Sequence, residues 1–176
     1  MNGSDFVELI FPTMEHRQQA LDYIREHEAY GEEHLHGSGG IKDDDYVIWL
    51  EKITNAQTAA SGGWVNCSTY FGCVDGSIVG MLQIRHELND NLLNTGGHIG
   101  YGVRPSERRK GYASAMLDIA LDRCKQLNIP KVLITCRKEN IASAKTIIKG
   151  GGILENEFVK EDGGVISRYW IDINRG

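Results

Sequence analysis

A basic segment followed by small residues lies near the middle of the sequence and has the composition of a phosphate-binding loop. It reads Arg108-Arg109-Lys110-Gly111-Tyr112-Ala113. Phosphates bind where backbone N–H groups converge and a helix directs the positive end of its dipole at them. Small residues at positions 111 and 113 let the backbone approach such a ligand, and the preceding cations add positive charge. The segment predicts a cradle for a diphosphate.

Two common phosphate-binding patterns are absent, namely G-x-x-x-x-G-K-[ST] and G-x-G-x-x-G. A bland alternative is a basic loop that caps a strand-to-helix connection, with Gly111 serving only the turn. The flanking sequence favours phosphate binding, because a strand pattern ends at Val103 and an amphipathic helix pattern begins near Tyr112.

Hydrophobic periodicity predicts the elements that must position this segment. Helices are expected around residues 14–24, 43–53, 112–127 and 140–149, and strands at 6–11, 70–74, 77–86, 98–103, 131–136, 153–159 and 165–173. Asp75-Gly76 predicts a hairpin turn. In the strand after it, alternation places Ile78, Gly80, Leu82 and Ile84 on one face and Val79, Met81, Gln83 and Arg85 on the other. The strand–helix–strand order around the basic segment predicts that part of the sheet is parallel.

Length and composition favour one domain spanning residues 1–176, with 41% hydrophobic and 24% charged residues. Neither a membrane-spanning stretch nor a signal peptide is expected. The four cysteines show no metal-type spacing, so we expect no metal site and a reducing, cytoplasmic location. The net charge of −5 argues against a nucleic-acid partner.

Acidic residues crowd the first third of the chain: Glu26, Glu28, Glu32, Glu33, Asp43, Asp44 and Asp45. They form either a solvated surface or a field that attracts a cationic ligand.

The stretch from Val103 to Ala113 resembles the signature loop of the GCN5-related N-acetyltransferase (GNAT) superfamily. The downstream Asn140-Ile141-Ala142-Ser143, with a helix end at Gly150-Gly151, is similar to the second cofactor motif of that family. The order of elements also matches, so the resemblance covers nearly the whole chain. Within the superfamily, Gly97-His98-Ile99-Gly100-Tyr101 and Arg168-Tyr169-Trp170-Ile171 resemble an uncharacterised bacterial branch of predicted acetyltransferases.

The resemblance implies an α/β (α+β) fold of the acyl-CoA N-acyltransferase type. In this fold a mixed, mostly antiparallel sheet of six to seven strands carries helices on both faces. It also implies acetyl-CoA as co-substrate, with no metal. The residues expected to contact it are Tyr101, Gly102, Val103, Arg108, Arg109, Lys110, Gly111, Tyr112, Ala113, Ser114, Asn140 and Ser143.

The implied reaction is direct attack of an uncharged primary amine on the acetyl carbonyl, which requires a group that accepts the amine proton. His98 is the first candidate base, and His86 and Glu87 follow. Family members often carry a proton-donating tyrosine four residues after the serine, but Ile147 stands there. Tyr101 or Tyr169 is then the candidate acid, or the CoA thiolate leaves unaided. Within the loop, Tyr112 is expected to be a packing residue rather than a catalyst.

Because the acidic stretches lie where family members border the acceptor, we expect a small cationic amine as partner. Neutralising Glu32 and Glu33 should then raise the KM for that amine alone. The acceptor could instead be a peptide or protein N-terminus. Two further classes of protein fit the same motifs, a non-catalytic acyl-CoA-binding module and an unrelated nucleotide-phosphate-binding domain. An open sheet edge often pairs two copies in such folds, which makes a homodimer a candidate assembly.

Overall fold

Seven strands and four helices make up the part of the chain described by the computed structural model, residues 6–174. The strands are β1 (Glu8–Ile10), β2 (Cys67–Val74), β3 (Ser77–Arg85), β4 (Ile99–Val103), β5 (Lys131–Arg137), β6 (Ile153–Val159) and β7 (Val165–Asp172). The helices are α1 (Arg17–Ala29), α2 (Tyr46–Asn55), α3 (Tyr112–Gln126) and α4 (Ile141–Lys149). These are the elements that periodicity predicts, with ends shifted by a few residues.

The strands form two sheets, with strand orders β1-β2-β3-β4 and β5-β7-β6. Helices α1 and α2 cover one face of the first sheet through a core that includes Trp49 and Phe71. Helix α3 covers the opposite face with Met116 and Leu117, and Tyr112 is buried in that core, as expected of a packing residue. The predicted fold class, a mostly antiparallel α/β arrangement with helices on both faces, is confirmed.

The two sheets meet between β4 and β5 at one pair of residues. The N–H of His98 donates to the carbonyl of Leu133 at 2.7 Å, and the N–H of Leu133 donates to Nδ1 of His98 at 2.9 Å. Beyond this pair the backbone of β4 forms a ladder only with β3, and that of β5 only with β7. The space left between β4 and β5 is called the β4/β5 gap. The predicted parallel pairing is therefore wrong, since every ladder among residues 6–174 is antiparallel.

A β-bulge in the hairpin changes the faces predicted for the start of β3. The register shifts between Gly72 and Cys73, so that Val79 is an extra residue on β3. Ile78 consequently packs in the α1/α2 core and Val79 in the α3 core, the reverse of the predicted alternation. After the bulge the prediction holds, and Met81 faces α1 and α2.

The segment that joins α1 to α2, residues 30–45, crosses directly over β4. Gly37 lies so close to the strand that a Cβ there would be 2.6 Å from the carbonyl oxygen of Gly100 and 2.8 Å from that of Met81. Its φ is +72°, a conformation that glycine adopts without strain. A glycine is required here for both reasons, and the α1–α2 segment forms one wall above β4.

None of the helices within residues 6–174 combines the length and apolar character needed to cross a membrane. Cys124 and Cys136 are buried, and burial raises the pKa of the Cys124 thiol to about 12.

Candidate functional site

The basic segment forms the connection between β4 and α3. A short turn at Pro105–Glu107 follows β4, and Gly111 is the residue that caps the N-terminus of α3. Gly111 has a φ of +86°, and a Cβ built on it would meet no atom within 4 Å. The glycine thus serves an unusual backbone conformation, and the space in front of it is open.

The backbone around Gly111 is arranged for an anion. The first N–H groups of any helix lack carbonyl partners within that helix, and Gly111 lies at this end of α3. Arg109 also has a left-handed backbone, with φ of +63°. That conformation costs a non-glycine residue about 1–2 kcal/mol. Strain of this kind is concentrated at ligand sites in proteins, which fits a phosphate cradle.

Two glutamates from the end of α1 and the residues after it hold this connection in place. Glu32 accepts from both terminal nitrogens of Arg108, each at 2.7 Å, while Nε of Arg108 donates to the carbonyl of Val103. Glu26 is paired with Arg104 and accepts from the N–H of Ser106. The hydrogen bonds from Arg108 lower the pKa of Glu32 to about 2. We call this arrangement the glutamate clamp.

The clamp extends into the interior through a buried histidine. Nδ1 of His27 lies 2.7 Å from Glu32, and Nε2 of the same ring is buried without a partner. Burial lowers the pKa of His27, so the neutral ring donates Nδ1–H to the carboxylate. Glu32 is therefore held from both sides, by Arg108 and by His27.

The acidic residues of the first third are mostly paired with nearby cations. Five of the seven form ion pairs: Glu26 with Arg104, Glu28 with Lys42, Glu32 with Arg108, Asp44 with Lys52 and Asp45 with Arg17. Asp45 additionally caps α2 by accepting from the N–H of Val47. These pairs offset part of the local negative charge, and the role of Glu32 in steering a cationic acceptor stays a prediction.

Replacing Glu32 with glutamine should weaken acetyl-CoA binding about fivefold, because the loop loses an anchor worth about 1 kcal/mol at a partly exposed site. Glu33→Gln is the matched control, since its exposed side chain makes no ion pair in the described residues. Calorimetric titration with acetyl-CoA measures both. An unchanged Kd in Glu32→Gln, with a raised KM for a cationic amine, would support the steering role instead.

The second motif lies against β4 from the side of α4. Oδ1 of Asn140 accepts from the N–H of Ser143 and so caps α4. Oγ of Ser143 lies 2.9 Å from the hydroxyl of Tyr101. The second motif is thereby joined to β4, the strand that leads into the basic segment. Ile147 is fully buried in the core, so its position offers no proton donor to the gap.

The candidate bases lie at unequal distances from Tyr101. His98 is three residues away along β4, about 10 Å at the strand rise. His86 lies four residues beyond Leu82, which pairs with Tyr101, so its distance is about 13 Å or more. Nε2 of His86 is 2.8 Å from the hydroxyl of Ser68, and Glu87 is exposed. Neither His86 nor Glu87 lies beside the gap.

His98 is buried and its Nδ1 already accepts a hydrogen bond from Leu133. Burial, assisted by the charge of Arg85, lowers the pKa of His98 to about 4. In this arrangement Nε2 carries the ring proton, so the ring has no free lone pair for a proton from an amine. The immediate role of His98 is to join the two sheets.

Several residues of the site carry no signal in the sequence. Glu32 and Arg108 are 76 positions apart, and nothing local marks His27 or Glu26 as supports of a phosphate loop. The α1–α2 segment likewise brings His34 and His36 near β4, with ring centroids 4.5 Å apart. Among residues 6–174, no group of three or more His, Cys, Asp or Glu side chains is placed to hold a metal ion.

The model of the acetyltransferase (GNAT) family matches residues 40–147. The chain belongs to the GNAT acetyltransferase family. The match includes the basic segment and the Asn140 motif, the features on which the resemblance rests. No curated protein sequence matches the chain.

Solved structures of other GNAT acetyltransferases share the fold at low sequence identity. The Microcin C7 self-immunity acetyltransferase MccE, in complex with acetyl-CoA and AMP, has a TM-score of 0.72 at 16% identity, over 96% of this chain and 93% of its own. The ribosomal L7/L12 alpha-N-protein acetyltransferase RimL, with coenzyme A, has a TM-score of 0.72 at 15% identity, over 97% and 96%. A spermidine N-acetyltransferase SpeG chimera from Vibrio cholerae and hSSAT has a TM-score of 0.67 at 17% identity, over 97% of both chains. At such low identities these similarities show that the fold is shared and no more.

Proposed function

We propose that this GNAT family member is an acetyl-CoA-dependent N-acetyltransferase that acts on a primary amine by direct attack. The observation that carries the proposal is the open, left-handed Gly111 at the start of α3, beside a loop held by the glutamate clamp. Such a cradle suits the diphosphate of CoA. MccE and RimL, which share the fold, were solved with acetyl-CoA and coenzyme A. We also propose that residues 1–176 form one catalytic domain.

The edge of β4 supports a site for the pantetheine arm. The N–H of Arg104 donates to Val79 on β3, and hydrogen-bonding direction alternates along a strand. The N–H groups of Tyr101 and Val103 therefore point away from β3, into the β4/β5 gap. An extended amide-bearing chain in the gap would pair with them as an added strand. In this proposal Gly102 lies on the strand that pairs with the arm, while residues 108–114 enclose the diphosphate and Asn140 and Ser143 border the arm.

Among the N–H groups that face the gap, that of Tyr101 is the one proposed to stabilise the oxygen of the acetyl carbonyl as charge develops on it. The Tyr101 hydroxyl is the candidate acid, although burial raises its pKa and the hydroxyl is already hydrogen-bonded to Oγ of Ser143. A thiol with a reference pKa near 8.5 is also a tolerable leaving group without an acid. The proposal therefore does not depend on a tyrosine at position 147.

The base role of His98 stays a prediction, and two variants test it. His98→Ala leaves the buried N–H of Leu133 unpaired and should lower the free energy of unfolding by about 1–3 kcal/mol, whereas the amide oxygen of His98→Asn can replace Nδ1. The stability difference between the wild type and His98→Ala should be full above about pH 6.5. It should diminish as the pH falls towards about 4, where the wild-type ring protonates.

The kcat values of the two variants then test the role of His98 as a base. A fall in kcat of about a hundredfold in both variants, largest below neutral pH where unprotonated amine is scarcest, would assign the base to His98. A kcat of His98→Asn close to wild type would remove it from that role and leave a water chain to carry the proton.

The proposed function is tested by release of free CoA on mixing acetyl-CoA with a panel of amines. The panel includes polyamines and peptides with free N-termini, because the fold is shared by a spermidine and by a ribosomal-protein acetyltransferase. Acetyl-CoA binding without thiol release would favour a non-catalytic acyl-CoA-binding module. Binding of ATP without acetyl-CoA would favour a nucleotide-phosphate-binding domain. No affinity for CoA thioesters at millimolar concentration would refute the proposal.

A further inference from the structure

An arginine without a counterion lies on the face of β4 that the α1–α2 segment covers. Arg85 is the last residue of β3 and shares the face of Met81. A Cβ placed on Gly100 would be 3.2 Å from both terminal nitrogens of the Arg85 guanidinium. The cation therefore lies directly over Gly100, the residue before Tyr101.

The protein provides this guanidinium with few partners. Nη1 of Arg85 donates to the carbonyls of Gly96 and Gly97, at 3.1 and 3.4 Å. Within residues 6–174 no carboxylate oxygen lies within 4.0 Å of it, and neither Nε nor Nη2 makes a hydrogen bond. Arg85 is partly exposed to solvent, and neither Nε nor Nη2 is among the fully buried side-chain atoms that lack a partner. Two N–H-bearing nitrogens remain available to a ligand.

Other partly buried arginines differ in how the protein offsets their charge. Arg123 has no carboxylate partner in the described residues, but its guanidinium lies 4.4 Å from the centroid of the Tyr70 ring and donates to the carbonyl of Leu9. Arg168 is paired with Glu155 at 2.7 Å, and Arg104 is paired with Glu26. Burial of Arg85 lowers its pKa, which is the penalty that a partner anion normally offsets. Within residues 6–174 Arg85 has neither a carboxylate nor an aromatic ring to offset its charge, so its unpaired donors suit an anion from outside the chain.

Most of the charged groups around Arg85 are cationic. His36, on the α1–α2 segment, has its pKa lowered by burial and by the nearby charges of His34, Arg137 and Arg85, and the charge of Glu32 opposes this shift only in part. Gln83 and Thr69, which lie on the same face, are hydrogen-bonded to each other. An anionic group would be favoured here, and a polyamine would be repelled.

We propose that the guanidinium of Arg85 binds an oxyanion on the acceptor, a carboxylate or a phosphate, and so holds its amine beside Tyr101. A guanidinium presents its donors as a planar fork that suits both groups. Calling the ligand an acceptor depends on the proposed acetyltransferase function. The proposal replaces the expected cationic acceptor with an amine that also carries an anion.

Matched acceptor pairs test the proposal by thiol release. L-amino acids are compared with their α-carboxamides, and O-phosphoethanolamine with ethanolamine, which separates carboxylate from phosphate. The expected kcat/KM is at least about tenfold higher for the anionic member of one pair. In Arg85→Gln this preference should disappear through a raised KM, with the Kd for acetyl-CoA unchanged. Arg85→Lys should retain part of it.

Arg25→Gln is the matched control, because Arg25 is an exposed residue of α1 and loses the same charge. It should keep the wild-type preference. Equal use of both members of each pair by the wild type, or better use of the uncharged member or of polyamines, would overturn the proposal even if Arg85→Gln did not fold. An unchanged preference in a folded Arg85→Gln would also overturn it.

If no amine leads to release of free CoA, calorimetric titration of the same pairs into the CoA-saturated protein still tests the oxyanion site. Tighter binding of the anionic members, lost in Arg85→Gln, would support the oxyanion site while the proposed acetyl transfer failed. Equal or absent binding of both members would reject the site.

Discussion

Gly111→Glu should strongly weaken acetyl-CoA binding while the protein remains folded. The Cβ of the new side chain would meet no protein atom within 4 Å, and the carboxylate would place a negative charge at the mouth of the cradle. Two phosphate charges about 6 Å away, at an effective dielectric constant of about 40, would repel it by about 2.8 kcal/mol. That corresponds to about a hundredfold loss in affinity, to be measured by calorimetric titration.

Gly163→Glu is a closely matched control for this experiment. Gly163 lies in the β6–β7 turn with φ of +83°, near the +86° of Gly111, and a Cβ there also meets nothing within 4 Å. The two variants thus carry the same backbone strain and the same added charge. Equal Kd values in both would mean that the segment 108–114 is not a diphosphate site, and the proposed function would fall with it.

Gly37→Ala should cost about 3 kcal/mol in the free energy of unfolding, measured by chemical denaturation. Its Cβ would lie under 3.0 Å from three backbone atoms of Gly100, Met81 and Tyr101, none of which belongs to a flexible side chain. Left-handed strain adds to this clash. Because the α1–α2 segment rests on β4 at this point, partial relief by lifting the segment should raise the acceptor KM.

Gly31→Ala separates strain from clash. Gly31 has φ of +75°, close to the +72° of Gly37, but a Cβ there meets nothing within 4 Å. Its expected cost is about 1 kcal/mol, the penalty for backbone conformation alone. Similar losses in the two variants would show that close contact with β4 contributes nothing to stability.

Features encoded by neighbouring residues were predictable from the sequence. The amphipathic stripe of α3, the hairpin at Asp75-Gly76 and the basic segment each depend on residues within a few positions, and all are present. The faces of Ile78 and Val79 were assigned wrongly because a bulge in a ladder depends on the partner strand. The parallel pairing of β4 with β5 was wrong for a related reason, since divergence of two strands leaves no local pattern.

The catalytic residues were harder to predict than the cofactor loop. His98 has the residue type of a base, but only the structure reveals that Leu133 already donates to its Nδ1. The role of Glu32 was assigned from its charge alone, and its ion pair with Arg108 links positions far apart in the chain. Arg85 carries no distinguishing signal in the sequence, because an unpaired cation is recognised only by the absence of a partner.

The outward edge of β4 leaves main-chain groups without a strand beside them, and such an edge is a template on which other chains can add. A ligand lying in the gap would cover that edge, so the saturated enzyme would resist self-association and heat better than the ligand-free enzyme. The supply of co-substrate would then govern how long the protein survives in the cell as well as how fast it works.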